Sequence, residues 1–276
     1  MDYIGLDELL LSALKEDIGT GDITTLCCIP AENRSNAYFL AKESGVICGI
    51  DIAARVFSLV DENAIFTPLI KDGDTVNKGD IFATVAGPSR GILSGERVAL
   101  NLMQRLSGIA TATSKAVEAV SGAKARIVDT RKSTPGLRVL EKYAVRTGGG
   151  HNHRFNLSDG VLIKDNHISA AGGIANAVSA AKSSVPHVMK IEVETETLDE
   201  VREALDAGAD IIMLDNMSLE LMTEAVGLIN GRALTEASGN MGEKDLAEVA
   251  KTGVDVISIG ALTHSVKSLD ISLKFK

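Results

Sequence analysis

The apolar positions of this chain change rhythm along its length. Near the start, Leu6, Leu9, Leu10 and Leu14 recur at helical intervals, which predicts an amphipathic helix over Leu6–Lys15. The glycine-containing run Glu16–Thr25 then reads as a turn. Between Asn36 and Gly87, short apolar runs (AYFLA, GVICGI, AIFTPLI, DIFATVAG) alternate with turn clusters at Lys71–Asp74 and Asn77–Asp80, the pattern of a compact, mostly β unit. From Gly91 to Val120 the apolar residues return to helical spacing without a proline, predicting one or two helices that link two domains.

Beyond Gly122, strand and helix patterns alternate. ARIVDT, GVLIKD, HVMKIEVE, ADIIMLD, ALTEAS and VDVISIG read as six strands, with helices over Leu137–Thr147, Ile174–Lys182, Leu198–Asp206, Leu219–Leu228 and Lys244–Lys251. Such repetition predicts a parallel sheet closed, or nearly closed, into an α/β barrel. Barrel chemistry gathers at the C-terminal ends of the strands, where the βα loops converge. Read to their ends, the strands supply Asp129, Arg131 and Lys132; Lys164 and Asp165; Glu192 and Glu194; Asp215 and Asn216; Glu236, Ser238 and Asn240; and Ser258 and Gly260.

Charge sharpens this picture. The 276 residues carry 28 Lys and Arg against 37 Asp and Glu, a formal charge of −9, and only 3% are aromatic with no Trp. A nucleic-acid partner is therefore not expected, for want of both a basic surface and stacking platforms. Within Arg126–Lys164, however, eight Lys and Arg face three acids (Asp129, Glu141 and Asp159), a local excess that suits an anionic ligand. Arg138, Lys142 and Arg146 recur on one helix face and read as solvated. Arg131, His153, Arg154 and Lys164 flank strands or a glycine run and read as ligand-binding. Ser238, Gly239, Asn240 and Gly260 stand where backbone N–H groups could cradle a phosphate. Glu194 and Asp215 end successive strands and could share a hydrated magnesium ion or face a developing positive charge.

Cys27, Cys28 and Cys48 form no zinc spacing or disulfide framework, and neighbouring sequence gives His151 and His153 no Cys or acid cluster, which argues against a soft-metal site. Met1–Asp17 has acids early and no apolar leader core, and no run approaches a membrane span, so a cytoplasmic protein is expected. KDGDTVNKGDIFATVAG resembles the hairpin of lipoyl and biotinyl carrier domains but presents no lysine in the motif that carries those cofactors.

Asp129–His167 (DTRKSTPGLRVLEKYAVRTGGGHNHRFNLSDGVLIKDNH) closely resembles the quinolinate phosphoribosyltransferase family. The likeness continues through EDIGTGDITT, SGERVALNLMQRLSGIAT, KIEVE, DIIMLDNM, EASGN and GVDVISIGALTHS. The resemblance implies an N-terminal α/β sandwich of hammerhead or barrel-sandwich type over 1–108, rejoined by 265–276, and an open, incomplete TIM-like barrel over 109–264. It implies transfer of phosphoribosyl from phosphoribosyl pyrophosphate to quinolinate with loss of CO2, on the de novo route to NAD, with magnesium, by a homodimer or hexamer. Arg131, His153, Arg154 and Lys164 would hold the quinolinate carboxylates with help from Thr130, and Arg97 would reach in from a partner subunit. Lys132 would meet phosphoribosyl pyrophosphate, Glu194 and Asp215 its ribose and magnesium, and Ser238, Gly239, Asn240 and Gly260 its 5′-phosphate. Lys132, Glu194 and Asp215 would be the catalytic residues. Ser133 replaces the family's more frequent threonine and keeps the hydroxyl. The competing readings are a nicotinate or nicotinamide phosphoribosyltransferase, an anion-binding or carrier protein, and a molybdenum-associated relative whose motif lacks the IKDNH run.

Overall fold

The computed structural model describes residues 4–276; Met1–Tyr3, where the leader reading begins, lie outside the described residues. The chain divides into two compact units, one of residues up to Ala112 together with Val266–Lys276, the other of Thr113–Ser265.

The first unit opens with α1 (Leu6–Ile18), which buries Leu6, Leu10 and Leu14, one residue from each successive turn. The turn expected over Glu16–Thr25 is shorter than that, because Asp22 accepts the backbone N–H of Thr25 and starts α2 (Ile23–Cys28). Then come β1 (Arg34–Ala41), β2 (Gly45–Val46), α3 (Ile50–Val60), β3 (Ile65–Pro68), β4 (Thr75–Val76) and β5 (Ile81–Pro88). α3 corrects the mostly β reading: Ile52, Val56 and Ala53, Phe57 supply helical spacing to an apolar run that also looks strand-like. After α4 (Ser89–Ala119), one unbroken helix that continues into the second unit, the chain builds the barrel and returns as β12 (Ile271–Phe275). β12 pairs antiparallel with β1, giving a four-stranded sheet in the order β12-β1-β5-β3. Phe39, Phe57, Phe66 and Phe82 meet beside it, with Phe39 ring centroids 5.4–6.1 Å from the other three.

The second unit contains β6 (Arg126–Val128), α5 (Arg138–Thr147), β7 (Val161–Ile163), α6 (Asp165–Ala171), α7 (Ile174–Ser184), β8 (Ile191–Thr195), α8 (Leu198–Ala207), β9 (Ile211–Asp215), α9 (Leu219–Ile229), β10 (Leu234–Ser238), α10 (Leu246–Lys251), β11 (Val256–Ser258) and α11 (Ala261–His264). Its six strands are the six expected, all parallel, in the order β6-β11-β10-β9-β8-β7. A single parallel bridge between Val128 and His151 extends the β6 end, and no pairing among the described residues joins that end to β7, so the barrel is open there. Side-chain caps start some of the helices: Thr197 and Glu200 form a capping box on α8, and Asp245 accepts two N–H groups of α10. α6 was not anticipated, because it buries none of its residues and so shows no apolar stripe. No helix among the described residues is long and apolar enough to cross a membrane.

Candidate active site

Strand alternation and register together build one cleft at the C-terminal ends of the barrel strands. Successive side chains on a strand point to opposite faces, so Glu192 and Glu194, Met213 and Asp215, and Glu236 and Ser238 share one face in pairs. Leu162 lies opposite Glu192 in the β7–β8 register. Two residues further on, Lys164 therefore stands beside Glu194, and its ammonium forms a salt bridge with that carboxylate. The cavity above them is about 510 Å³ and is lined by every residue singled out for a binding or catalytic role except Arg97 and Gly260. Leu162 and Met213 add apolar wall, and Asn216, Glu236 and Ser258 complete the lining.

Around Gly239 the backbone closes tightly. Gly239 has φ +93°, and a Cβ there would lie 2.2 Å from Asn216 Oδ1 and 2.7 Å from its backbone nitrogen. Only glycine permits both that conformation and that approach. Asn216 and Asn240 are themselves left-handed, with φ 54° and 52°, and the Asn216 N–H donates to the Ser238 carbonyl at 3.1 Å, tying the loop after β9 to the loop after β10. Gly260 lies outside the lining but makes room for Lys132: a Cβ would meet Lys132 Cδ at 3.0 Å, and Thr263 Oγ1 donates to the Lys132 carbonyl at 2.8 Å. Thr130 Oγ1 accepts the Lys132 N–H at 3.0 Å, fixing the turn that aims this lysine.

The same cleft holds two guanidinium groups. Arg131 Nε is buried without a protein partner, and Arg154 donates Nη1 to the Gly160 carbonyl at 2.8 Å. Burial, and then the neighbouring charge of Arg131, hold the Arg154 pKa below its ordinary value. Two cations brought together with a spare donor form a receptor for a carboxylate-rich anion. Ser133 Oγ accepts Arg138 Nε at 2.8 Å, so the serine performs the hydroxyl task that its position requires.

Beneath the cleft lies a network that sequence reasoning missed. Lys142, expected on a solvated face, is fully buried and pairs with equally buried Asp129. Lys142 Nζ also donates to the His153 carbonyl at 2.9 Å; Asp129 accepts the His153 N–H at 2.9 Å and Asn152 Nδ2 at 2.5 Å. Arg138, too, turns inward, donating to the Phe155 carbonyl at 3.0 Å, so of the three helix-face cations Arg146 alone is exposed. The ion pair thus pins the segment 152–154 that carries His153 and Arg154. Burial pushes the Asp129 carboxyl up and the Lys142 ammonium down, each opposed by the charge of the other. No spacing rule announces a contact between a strand end and a helix thirteen residues later.

His153 also differs from expectation. The acid cluster absent from its sequence neighbourhood is supplied by other strands: Nε2 lies 3.3 Å from Glu192 Oε2 and 3.6 Å from Glu236 Oε2. Asp165 is exposed on α6, and Lys164 N donates to His167 Nδ1 at 3.0 Å, so the acid and histidine of the KDNH run shape the helix start rather than line the cleft. A second hollow of about 570 Å³ at the opposite strand ends holds Lys124 and Lys190, whose salt bridges to Asp255 and Asp210, at 3.0 and 3.1 Å, compensate its charge.

Both units match known sequence families: residues 22–107 match the quinolinate phosphoribosyl transferase N-terminal domain and residues 109–274 the corresponding C-terminal domain. The chain is 50% identical over 273 residues to the probable nicotinate-nucleotide pyrophosphorylase (carboxylating) of Bacillus subtilis, covering 99% of this chain and 94% of that one. It is 48% identical to the chloroplastic nicotinate-nucleotide pyrophosphorylase (carboxylating) of Arabidopsis thaliana, covering 98% and 82%. The crystal structure of NadC from Streptococcus pyogenes superposes with a TM-score of 0.94 at 44% identity, covering 100% of this chain and 99% of that one. The two-unit architecture, the open barrel and these matches along nearly the whole sequence place the chain in the quinolinate phosphoribosyltransferase family.

Proposed function

We propose that the protein transfers the phosphoribosyl group of phosphoribosyl pyrophosphate to quinolinate with decarboxylation, yielding nicotinate mononucleotide, pyrophosphate and CO2 for NAD biosynthesis. Its relatives bear names for this activity. The observation that carries the reading here is the paired guanidinium receptor of Arg131 and Arg154, which lines one cleft together with the Gly239 backbone loop. A planar acid with adjacent carboxylates needs the first, and a phosphate suits the second.

In this reading Arg131, Arg154 and Lys164 hold the quinolinate carboxylates, with His153 and Thr130 shaping the floor and the turn beside them. Lys132 faces the pyrophosphate, and Ser238, Gly239 and Asn240 the 5′-phosphate. As pyrophosphate leaves, positive charge grows on the ribose, and the carboxylates of Glu194 and Asp215 stabilise it. After the ring nitrogen is alkylated, the pyridinium accepts the electron pair of the breaking C–CO2 bond. Magnesium suits the hard oxygen donors at this mouth; because Glu194 is held by Lys164, contact there through water fits best, and the ion would supply charge neutralisation of the leaving group.

The decisive assay supplies magnesium and phosphoribosyl pyrophosphate with quinolinate, nicotinate or nicotinamide. Turnover of quinolinate alone, with matching CO2 release, is the expected result. Turnover of nicotinate would move the chain to the non-decarboxylating transferases, and silence on all three would leave anion binding as its role.

Arg97 is exposed on α4 and belongs to the first unit, whereas the cleft lies in the second. We place it in the active site of a partner subunit within a cytoplasmic homodimer or a hexamer built from such dimers. Mixing inactive Arg97→Ala chains with inactive Lys164→Ala chains is then expected to restore part of the activity, since some mixed sites carry neither change. Failure to complement after subunit exchange would refute the trans arrangement.

A further inference from the structure

Glu192 and Glu236 are each 3% exposed, and their nearest oxygens lie within 4.8 Å of each other and of His153 Nε2. Oε1 of each carboxylate is buried without a hydrogen-bond partner. Two ionised carboxylates cannot share such a space at acceptable cost unless a cation or a proton joins them. The hydrogen bonding of His153 decides which. Arg154 N–H donates to His153 Nδ1 at 2.8 Å, so Nδ1 presents its lone pair and the ring proton sits on Nε2, facing the carboxylates. A divalent ion at these three groups would need the Nε2 lone pair with Nδ1 donating, the reverse arrangement. Burial disfavours the charged ring and the two carboxylates together outweigh it, raising the His153 pKa above its ordinary value; against this stands the geometry, because an imidazolium would turn an Nδ1 proton against the Arg154 N–H. The ring is therefore neutral, and the proton that relieves the pair resides on a carboxyl group.

We propose that Glu236 is kept as a neutral carboxylic acid beneath the cleft, a positioning residue that leaves Glu192 as the single anion holding His153 and lets the cleft accept a doubly charged aromatic acid. The substrate half of this inference rests on the function proposed above; the protonation half does not. The groups facing Glu236 pull in both directions, and burial with the charge of Glu192 prevails over His153 and Ser258. Glu192 opposes from β8, His153 attracts from the loop after α5, Ser258 offers a hydroxyl from β11, and the register on β9 places apolar Met213 alongside. Burial, followed by the charge of Glu192, pushes the Glu236 carboxyl up to about 8. The consequence for the cleft is a matter of charge. Arg131, Lys132, Arg154 and Lys164 face Glu194, Asp215 and Glu236 in its lining. With Glu236 ionised the cations lead by one; with it neutral they lead by two, matching a dicarboxylate.

Glu236→Gln tests this, because glutamine imitates the neutral acid and cannot ionise. In infrared difference spectra of the unliganded protein, the parent is expected to show a protonated carboxyl band at pH 7 that fades above pH 8, and the variant to lack it. Quinolinate binding, measured at equilibrium, is expected to weaken about tenfold between pH 7 and pH 9 in the parent beyond any change in the variant. Absence of the band in the parent overturns the proposal, as does an equal pH slope in both proteins. If the band is present but quinolinate binds neither protein, the protonated carboxyl stands, while the substrate assignment and the role built on it fall.

Discussion

Lys142→Met should destabilise the protein by about 3–5 kcal/mol, because it strands the Asp129 carboxylate in a fully buried position without its cation. Two donors, Asn152 Nδ2 and the His153 N–H, would remain on Asp129 and cannot neutralise it. The informative comparison is the double variant Lys142→Met, Asp129→Leu. Removing both charges is expected to recover much of the lost stability in denaturant unfolding, while quinolinate turnover stays low. Stability comes back because no charge is left buried alone; turnover does not, because the His153 backbone has lost the carboxylate and the ammonium that anchor its N–H and carbonyl. A double variant no more stable than the single one would show that the pair does not behave as a buried charge pair, and full activity in it would show that the anchor has no part in shaping the cleft.

Arg131→Ala and Lys164→Ala should each lower kcat/KM for quinolinate by at least about tenfold, the effect of removing one charged hydrogen-bond donor from a desolvated carboxylate site. The two losses should differ in kind. Arg131 has a buried donor with no protein partner, so truncation removes a contact reserved for ligand and is expected to appear mainly in KM. Lys164 also neutralises Glu194, so its loss leaves that carboxylate less restrained near the reacting ribose, and kcat should fall as well. Steady-state kinetics with quinolinate varied at saturating phosphoribosyl pyrophosphate separate the two, and near-normal kcat/KM in both variants would overturn the carboxylate-binding assignment.

The barrel was legible because each strand run is short, most are rich in Val or Ile, and each carries a polar residue at or near its C-terminal end. That same alternation places Lys164, Glu194, Asp215 and Ser238 correctly at strand ends. What stayed hidden has a common cause: pairs whose members come from different elements leave no periodic trace. Lys142 obeys helical spacing with Arg138 and Arg146, and spacing cannot tell an outward lysine from one that reaches Asp129. Glu192 and Glu236 were legible as strand-end acids, but their convergence on His153 depends on sheet curvature. α3 was obscured for another reason. The run from Ile50 to Val60 is so apolar that strand and helix readings both accommodate it.

The β1–β12 pairing has a consequence for synthesis on the ribosome. β1 is made before the barrel and β12 after it, so the first sheet waits for its edge partner until all the barrel sequence has been translated. During that interval one side of β1 presents unpaired N–H and C=O groups, the kind of edge that templates association with other chains. The barrel draws all six of its strands from one uninterrupted stretch and faces no such delay. Nascent chains are thus exposed to mispairing through the N-terminal sheet for as long as translation of the catalytic unit lasts, and slower elongation through that unit lengthens the exposure.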